Sequence, residues 1–204
     1  MASKSLTPAG LRGDGRRPGE LRHLRAKMGH AGFDGSAYIE MGQTRVLAQC
    51  HGPHEVTRKQ DESHEKVLIN VEYCQAPFAG MDRKRRRTGD RQGIELALAV
   101  KESLEAVVVI DNYPFTQIDV FITVLQDDGS RLPACLNAAC LAMIDAGISM
   151  SDMLVACSAG FVDDEPIVDL NHREQGGGGG YLPLALLPAT DKIVLAQMDG
   201  AKMP

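Results

Sequence analysis

The sequence predicts an α+β domain, and three observations predict it. Nine short runs are apolar or alternate apolar with polar residues over strand length, and two longer stretches repeat apolar residues at helical spacing. Their order is also informative: strands come first, the two helical stretches bracket one strand, and strands return. A doubly wound sheet would need strand and helix to alternate throughout. With 204 residues, 44% of them hydrophobic, the chain is expected to form a single domain over 1–204, burying roughly 70% of the surface its unfolded chain exposes.

The strands are expected at 21–28, 36–41, 44–50, 67–74, 117–126, 154–162, 166–170, 182–187 and 193–198, with Gly42-Gln43 closing a tight hairpin between the second and third. The first helix is expected over 91–109, where Ile94, Leu98, Leu104 and Val108 fall near one face and Asp90 is placed to cap its start. The second is expected over 133–146, closed by Gly147. Residues 1–20 read as an extended N-terminal arm. The segment 173–181 holds five consecutive glycines, which leave little to bury and cost much to order, so it reads as a mobile loop.

Composition narrows the function classes. No run of about 18 apolar residues exists and the N-terminus has no apolar signal core, so a soluble intracellular protein with no membrane partner is expected. Five cysteines without C-x-x-C spacing, and six histidines without an H-x-x-x-H pair, argue against a disulfide framework or a metal site. The net charge of −5 hides an asymmetry. Residues 1–101 carry 18 Lys and Arg against 12 Asp and Glu, whereas 102–204 carry 4 against 15. Basic residues cluster at Arg12, Arg16, Arg17, Arg22, Arg25 and Lys27, and again at Arg83, Lys84, Arg85, Arg86, Arg87 and Arg91. Such runs are commonly solvated loops, but arginine-rich composition beside a helix start favours phosphate recognition.

The run QIDVFITVLQDDGSR is a strand that breaks at an acidic, glycine-containing turn and leads into a helix. The first N–H groups of a helix have no intrahelical partner and carry the positive end of its dipole, so the junction suits an anion. There Ser130 offers a hydroxyl and Arg131 a planar charged fork. The alternative is a plain turn at Asp128-Gly129 with Ser130 as an ordinary N-cap.

The segments LRGDGRRPGELR (11–22), DGSAYIEMGQTRVLAQCHGPHE (34–55), DRKRRRTGDR (82–91), QIDVFITVLQDDGSR (117–131) and LNAACLAMIDAGISMSDMLVACSAGFVDDEPIVDL (136–170) together resemble the RNase PH family, to which exosome ring subunits belong. The resemblance implies a ribosomal protein S5 domain 2-like fold of mixed sheets with two main helices. It also implies a long C-terminal helix after 193–198, for which the sequence to Pro204 leaves too few residues. Family members form hexameric rings around a channel for single-stranded RNA. In the exosome the ring is hetero-hexameric, carries S1 and KH cap proteins and attached hydrolytic ribonucleases, and works in the nucleus, nucleolus and cytoplasm.

Active members use inorganic phosphate, with Mg, to cleave RNA from its 3′ end. By the resemblance, Ser130 and Arg131 match the phosphate-binding pair and Arg91 an RNA-phosphate arginine, with Gln92 where a second arginine is often found. Arg83, Arg85, Arg86 and Arg87 are further RNA-contact candidates. The acidic half is broken. Asp169 matches the first of two aspartates six residues apart, but the second position is Gln175, and the downstream E-x-D element is replaced by glycines. Glutamine neither exchanges a proton usefully nor ligates a hard cation well. Adjacent Glu174 compensates only if the loop shifts, and Asp169 itself also reads as a structural strand-end carboxylate. The expected protein is therefore a catalytically silent ring subunit without cofactor that guides RNA, the alternative being an active phosphorolytic exoribonuclease using Mg and inorganic phosphate.

Overall fold

The computed structural model describes residues 7, 10–29, 32–56, 67–81, 83, 90–162, 165–176 and 179–198. In chain order the elements are β1 (Leu24–Met28), β2 (Gly35–Met41), β3 (Thr44–Glu55), β4 (Leu68–Gln75), α1 (Arg91–Glu105), β5 (Thr116–Gln126) and α2 (Arg131–Asp145). They continue with β6 (Val155–Val162), β7 (Glu165–Val168), α3 (His172–Gln175), β8 (Tyr181–Leu187) and β9 (Lys192–Ala196).

Two sheets result, one in the order β1-β2-β3-β5-β4 and one in the order β7-β6-β8-β9. All pairings are antiparallel except β4 with β5, which are parallel and joined through α1. Helix α2 packs against both sheets, meeting β2, β3 and β5 on one side and β6 and β8 on the other. Its sequence explains the fit: Ala134, Ala138, Ala139 and Ala142 are fully buried, and such small side chains let two sheets approach one helix. The approach is closest at Gly35, where an added Cβ would lie 2.2 Å from the Ala142 carbonyl oxygen. One hydrophobic core runs from Ile39 and Ile122 through α2 to Leu154 and Leu187.

Several boundaries differ from expectation, each for a local reason. β1 starts at Leu24 rather than 21 because the Arg22 N–H is taken by Asp169. α1 ends at Glu105 because Val108 bridges to Met150 and Val109 donates to Ser149 instead of continuing the helix. α2 begins two residues early, at Arg131, since Pro133 sits in the first turn, where its missing N–H costs nothing. The glycine-rich segment, expected to be a mobile loop over 173–181, opens inside α3 and closes on the first residue of β8. Order begins there because Asn171 and Glu174 form a reciprocal capping box; residues 177 and 178 lie outside the described residues.

All five cysteines are free thiols, with Cys50 and Cys135 pushed up to about 12 mainly by burial. Among the described residues, no helix is long and apolar enough to cross a membrane.

Candidate functional site

The β4-α1-β5-α2 order brings two helix starts to one end of the sheet. A Cβ on Gly93 would lie 3.3 Å from Tyr73, near the C-terminal end of β4, so α1 begins there. α2 begins at the C-terminal end of the neighbouring parallel strand, β5, an arrangement in which ligands bind at the carboxyl ends of strands. Arg91 and Arg131, far apart in sequence, are thus the opening residues of two helices at the same end. The Arg91 side chain is 91% exposed, and its Nε donates to Glu95 Oε1 at 2.8 Å. Arg131 is more confined: its Nε lies 3.3 Å from Asp127 Oδ2. Beside it stands Tyr73, whose buried hydroxyl lies near the Arg131 guanidinium without a hydrogen bond of good geometry. Arg83 is exposed, and Arg85, Arg86 and Arg87 lie outside the described residues. Asp90 takes the N-cap position of α1 without making a side-chain cap bond.

Ser130 corrects the sequence reading. It stands at the N-cap of α2 in the left-handed region (φ 54°), but its side chain makes no cap bond and is fully buried. Its hydroxyl donates to the Leu170 carbonyl at 2.8 Å and meets the Ser158 hydroxyl at 2.5 Å. With its one hydrogen spent inward, it has none for a phosphate. The turn is welded to the 169–172 segment in a second way: His172 N–H donates to the Asp128 carbonyl, and a Cβ on Gly129 (φ 84°) would strike backbone atoms of 170–172 at 2.6 to 2.7 Å. Glycine is required there by both the conformation and the contact.

Asp169 lies behind this turn, 1% exposed and in the left-handed region. Arg22 holds both carboxylate oxygens: its backbone N–H and Nε donate to Oδ2 at 2.9 Å, and Nη2 to Oδ1 at 2.7 Å. Arg16 adds a second guanidinium 3.6 Å away. Burial alone would raise the Asp169 pKa, but the Arg22 hydrogen bonds and charge outweigh it and hold the carboxyl below its ordinary value. Arg22 reaches further, donating to the Asp128 carbonyl at 2.9 Å, and Thr44, on β3, donates to the Gly129 carbonyl at 2.8 Å while accepting the Asp128 N–H. The arm, the β2-β3 hairpin, the 128–130 turn and the Asp169 turn are one hydrogen-bonded unit.

Glu174 is equally committed. Its carboxylate is gripped by both Nε and Nη2 of Arg12, a residue 1% exposed that also donates to the carbonyls of Val168 and Asp169. Gln175, which the sequence reading set against the second aspartate of active members, lies beside Tyr181. A divalent cation does not fit these residues. It would have to displace Arg22 from Asp169 or Arg12 from Glu174 and then stand against the displaced guanidinium charges. Among the described residues no group of three or more metal-ligating side chains exists.

Sequence reasoning placed Arg12, Arg16 and Arg22 in a basic patch and missed their structural role, as it missed Thr44. An available signal was the spacing of arginines in a segment that also carries Gly, Asp and Pro, a composition suited to a tightly turned arm.

The RNase PH model described as 3′ exoribonuclease family, domain 1, matches residues 20–149, and domain 2 of the same family matches 152–204. Exosome complex component RRP41 of Bos taurus is 47% identical over 196 residues, which cover 95% of this chain and 80% of that protein. Among solved structures, rice (Oryza sativa) Rrp46 superposes with a TM-score of 0.83 at 29% identity, covering 94% of this chain and 87% of its own. A chain of the Archaeoglobus fulgidus exosome with RNA bound to the active site shares the fold, with a TM-score of 0.80 at 22% identity over 96% of this chain and 84% of its own. Matched along both halves by one family's two models, and by a close relative over nearly its whole length, the chain belongs to the RNase PH, or 3′ exoribonuclease, family.

Proposed function

We propose that this chain is a non-catalytic RNase PH-like subunit of an exosome ring, contributing to assembly and guiding single-stranded RNA for 3′→5′ processing and degradation. The observation that carries the silent reading is the state of the carboxylates. Asp169 has both oxygens bound by Arg22, Glu174 is held by Arg12, and Gln175 stands where a second aspartate is needed. Phosphorolysis requires a phosphate nucleophile to meet an anionic phosphodiester while the departing 3′-oxygen is stabilised. This chain supplies cations at the ends of β4 and β5, while the carboxylates of Asp169 and Glu174 are already bound by arginines. Loss of a general acid or base costs roughly 10²- to 10⁴-fold.

The RNA-guiding part rests on Arg83, Arg91 and Arg131 at the rim, with Arg85, Arg86 and Arg87 in the same basic run. The proposed partners are other RNase PH-like subunits in a hetero-hexameric ring, S1 and KH cap proteins, attached hydrolytic ribonucleases and single-stranded RNA, in the nucleus, nucleolus and cytoplasm. No Mg or phosphate cofactor is proposed. The test is a ring assembled without hydrolytic ribonucleases and given labelled RNA, magnesium and phosphate. Nucleoside diphosphate release should stay at background. Release that disappears with Arg131→Ala would establish an active phosphorolytic enzyme instead.

A further inference from the structure

We infer that Phe78 is a stacking platform for an unpaired base of single-stranded RNA, a role that rests on the RNA-guiding reading and extends it from phosphates to bases. The sequence around it is Ala76-Pro77-Phe78-Ala79. Ala79 N–H donates to the Ala76 carbonyl at 2.9 Å, closing a β-turn in which Pro77 takes the second position, where its fixed φ fits, and Phe78 the third. Both ends of the turn are buried, Ala76 at 9% and Ala79 at 4% exposure. They are also tied down, Ala76 N–H to the Val124 carbonyl at 3.0 Å and the Ala79 carbonyl to Asp127 N–H at 2.9 Å. The aromatic ring stands at the tip of this pinned turn and is 69% exposed, against 40% for Phe33 and 42% for Phe115.

Its surroundings identify the guest. Asp127, whose N–H anchors the turn, also holds Arg131 through its carboxylate. Arg83 is exposed five residues further on, and 83–91 carries six cations against one acid. A protein-binding hot spot favours a core depleted of charge, whereas an exposed aromatic followed in sequence by arginines is the pairing that single-stranded nucleic acid uses, cations for the phosphates and a π-face for the base. Because the turn is held at both ends and closed by proline, stacking orders little that is not already ordered.

The chain contains no tryptophan, so Phe78→Trp introduces one fluorophore at the proposed contact. The probe is a short oligoadenylate, titrated into the full chain and followed by anisotropy and tryptophan emission. Phe78→Trp should bind at least as well as the parent, with its emission quenched by RNA. Phe78→Ala should weaken binding about fivefold to a hundredfold without changing the salt slope, since no ion pair is lost. Its thermal midpoint should stay close to the parent's, because most of the ring is exposed. Parental affinity in Phe78→Ala with unquenched tryptophan emission overturns stacking and leaves phosphate guidance intact. The same result with lost association to other ring subunits also overturns it, giving Phe78 to a protein interface. Absence of RNA binding by the parent overturns the RNA reading and this inference together.

Discussion

Arginine does opposite work in two regions of this molecule, and burial decides which. At the node around Asp169, Arg12 and Arg22 are nearly inaccessible and spend their donors on Asp169, Glu174 and backbone carbonyls. At the rim formed by the ends of β4 and β5, Arg91 is exposed and pairs with a solvent-facing glutamate, and Arg83 is exposed as well. The node has its charges neutralised internally and in low dielectric. The rim keeps its positive charge available for a polyanion. A charge count from sequence treats the two groups alike, yet one holds the fold and the other faces outward.

The largest expected effect tests the node. Arg22→Ala or Asp169→Asn leaves a buried charge without its partner and should destabilise the chain by about 3–5 kcal/mol in chemical unfolding; a change below about 0.5 kcal/mol would mean that the pair is not structural. Thr44→Val should follow at about 1–3 kcal/mol, because the buried Gly129 carbonyl loses its donor and the part-buried Asp128 N–H its acceptor, and Thr44→Ser should recover most of the loss. At the rim the prediction reverses. Arg91→Glu should shift stability by no more than about 0.5 kcal/mol yet weaken single-stranded RNA binding, and the parent's log affinity should fall with log salt at roughly −0.7 per phosphate contact. A rim variant that unfolds the chain, or a node variant that alters only RNA affinity, would erase the distinction.

The smallest effect is in pH. The Asp169 carboxyl sits below its ordinary value, so its contribution to stability is complete above about pH 4, where the unfolded side chain is ionised. That contribution is lost as the pH falls through the lower folded value. Asp169→Asn should therefore be less stable than the parent at neutral pH, with the gap closing in acid. A gap of constant size down to the lowest pH would assign the cost to packing rather than charge.

Much of the fold was legible because it rests on local pattern. The alternation in β2 and β5 and the small-residue run of α2 appear at nearly their expected bounds, for each depends on which face is buried, whereas β3 runs past its expected end at 50 to Glu55. The candidate site was legible by residue type. Arg91 and Arg131 open two helices at the same end of the sheet. The inward turn of Ser130 was not legible, since its partners Ser158 and Leu170 lie 28 and 40 residues away. Nor was the commitment of Asp169, whose partner Arg22 is 147 residues away. Hydrogen bonds across such separations leave no periodicity to read.

The most direct test is a titration of the Asp169 carboxyl carbon by NMR on the full chain, with and without magnesium. A carboxylate committed to Arg22 should titrate below the ordinary aspartate range and be unmoved by millimolar magnesium. A further downward displacement on adding magnesium, with broadening when manganese replaces it, would show that the carboxylate is free to seat a metal and would contradict the account.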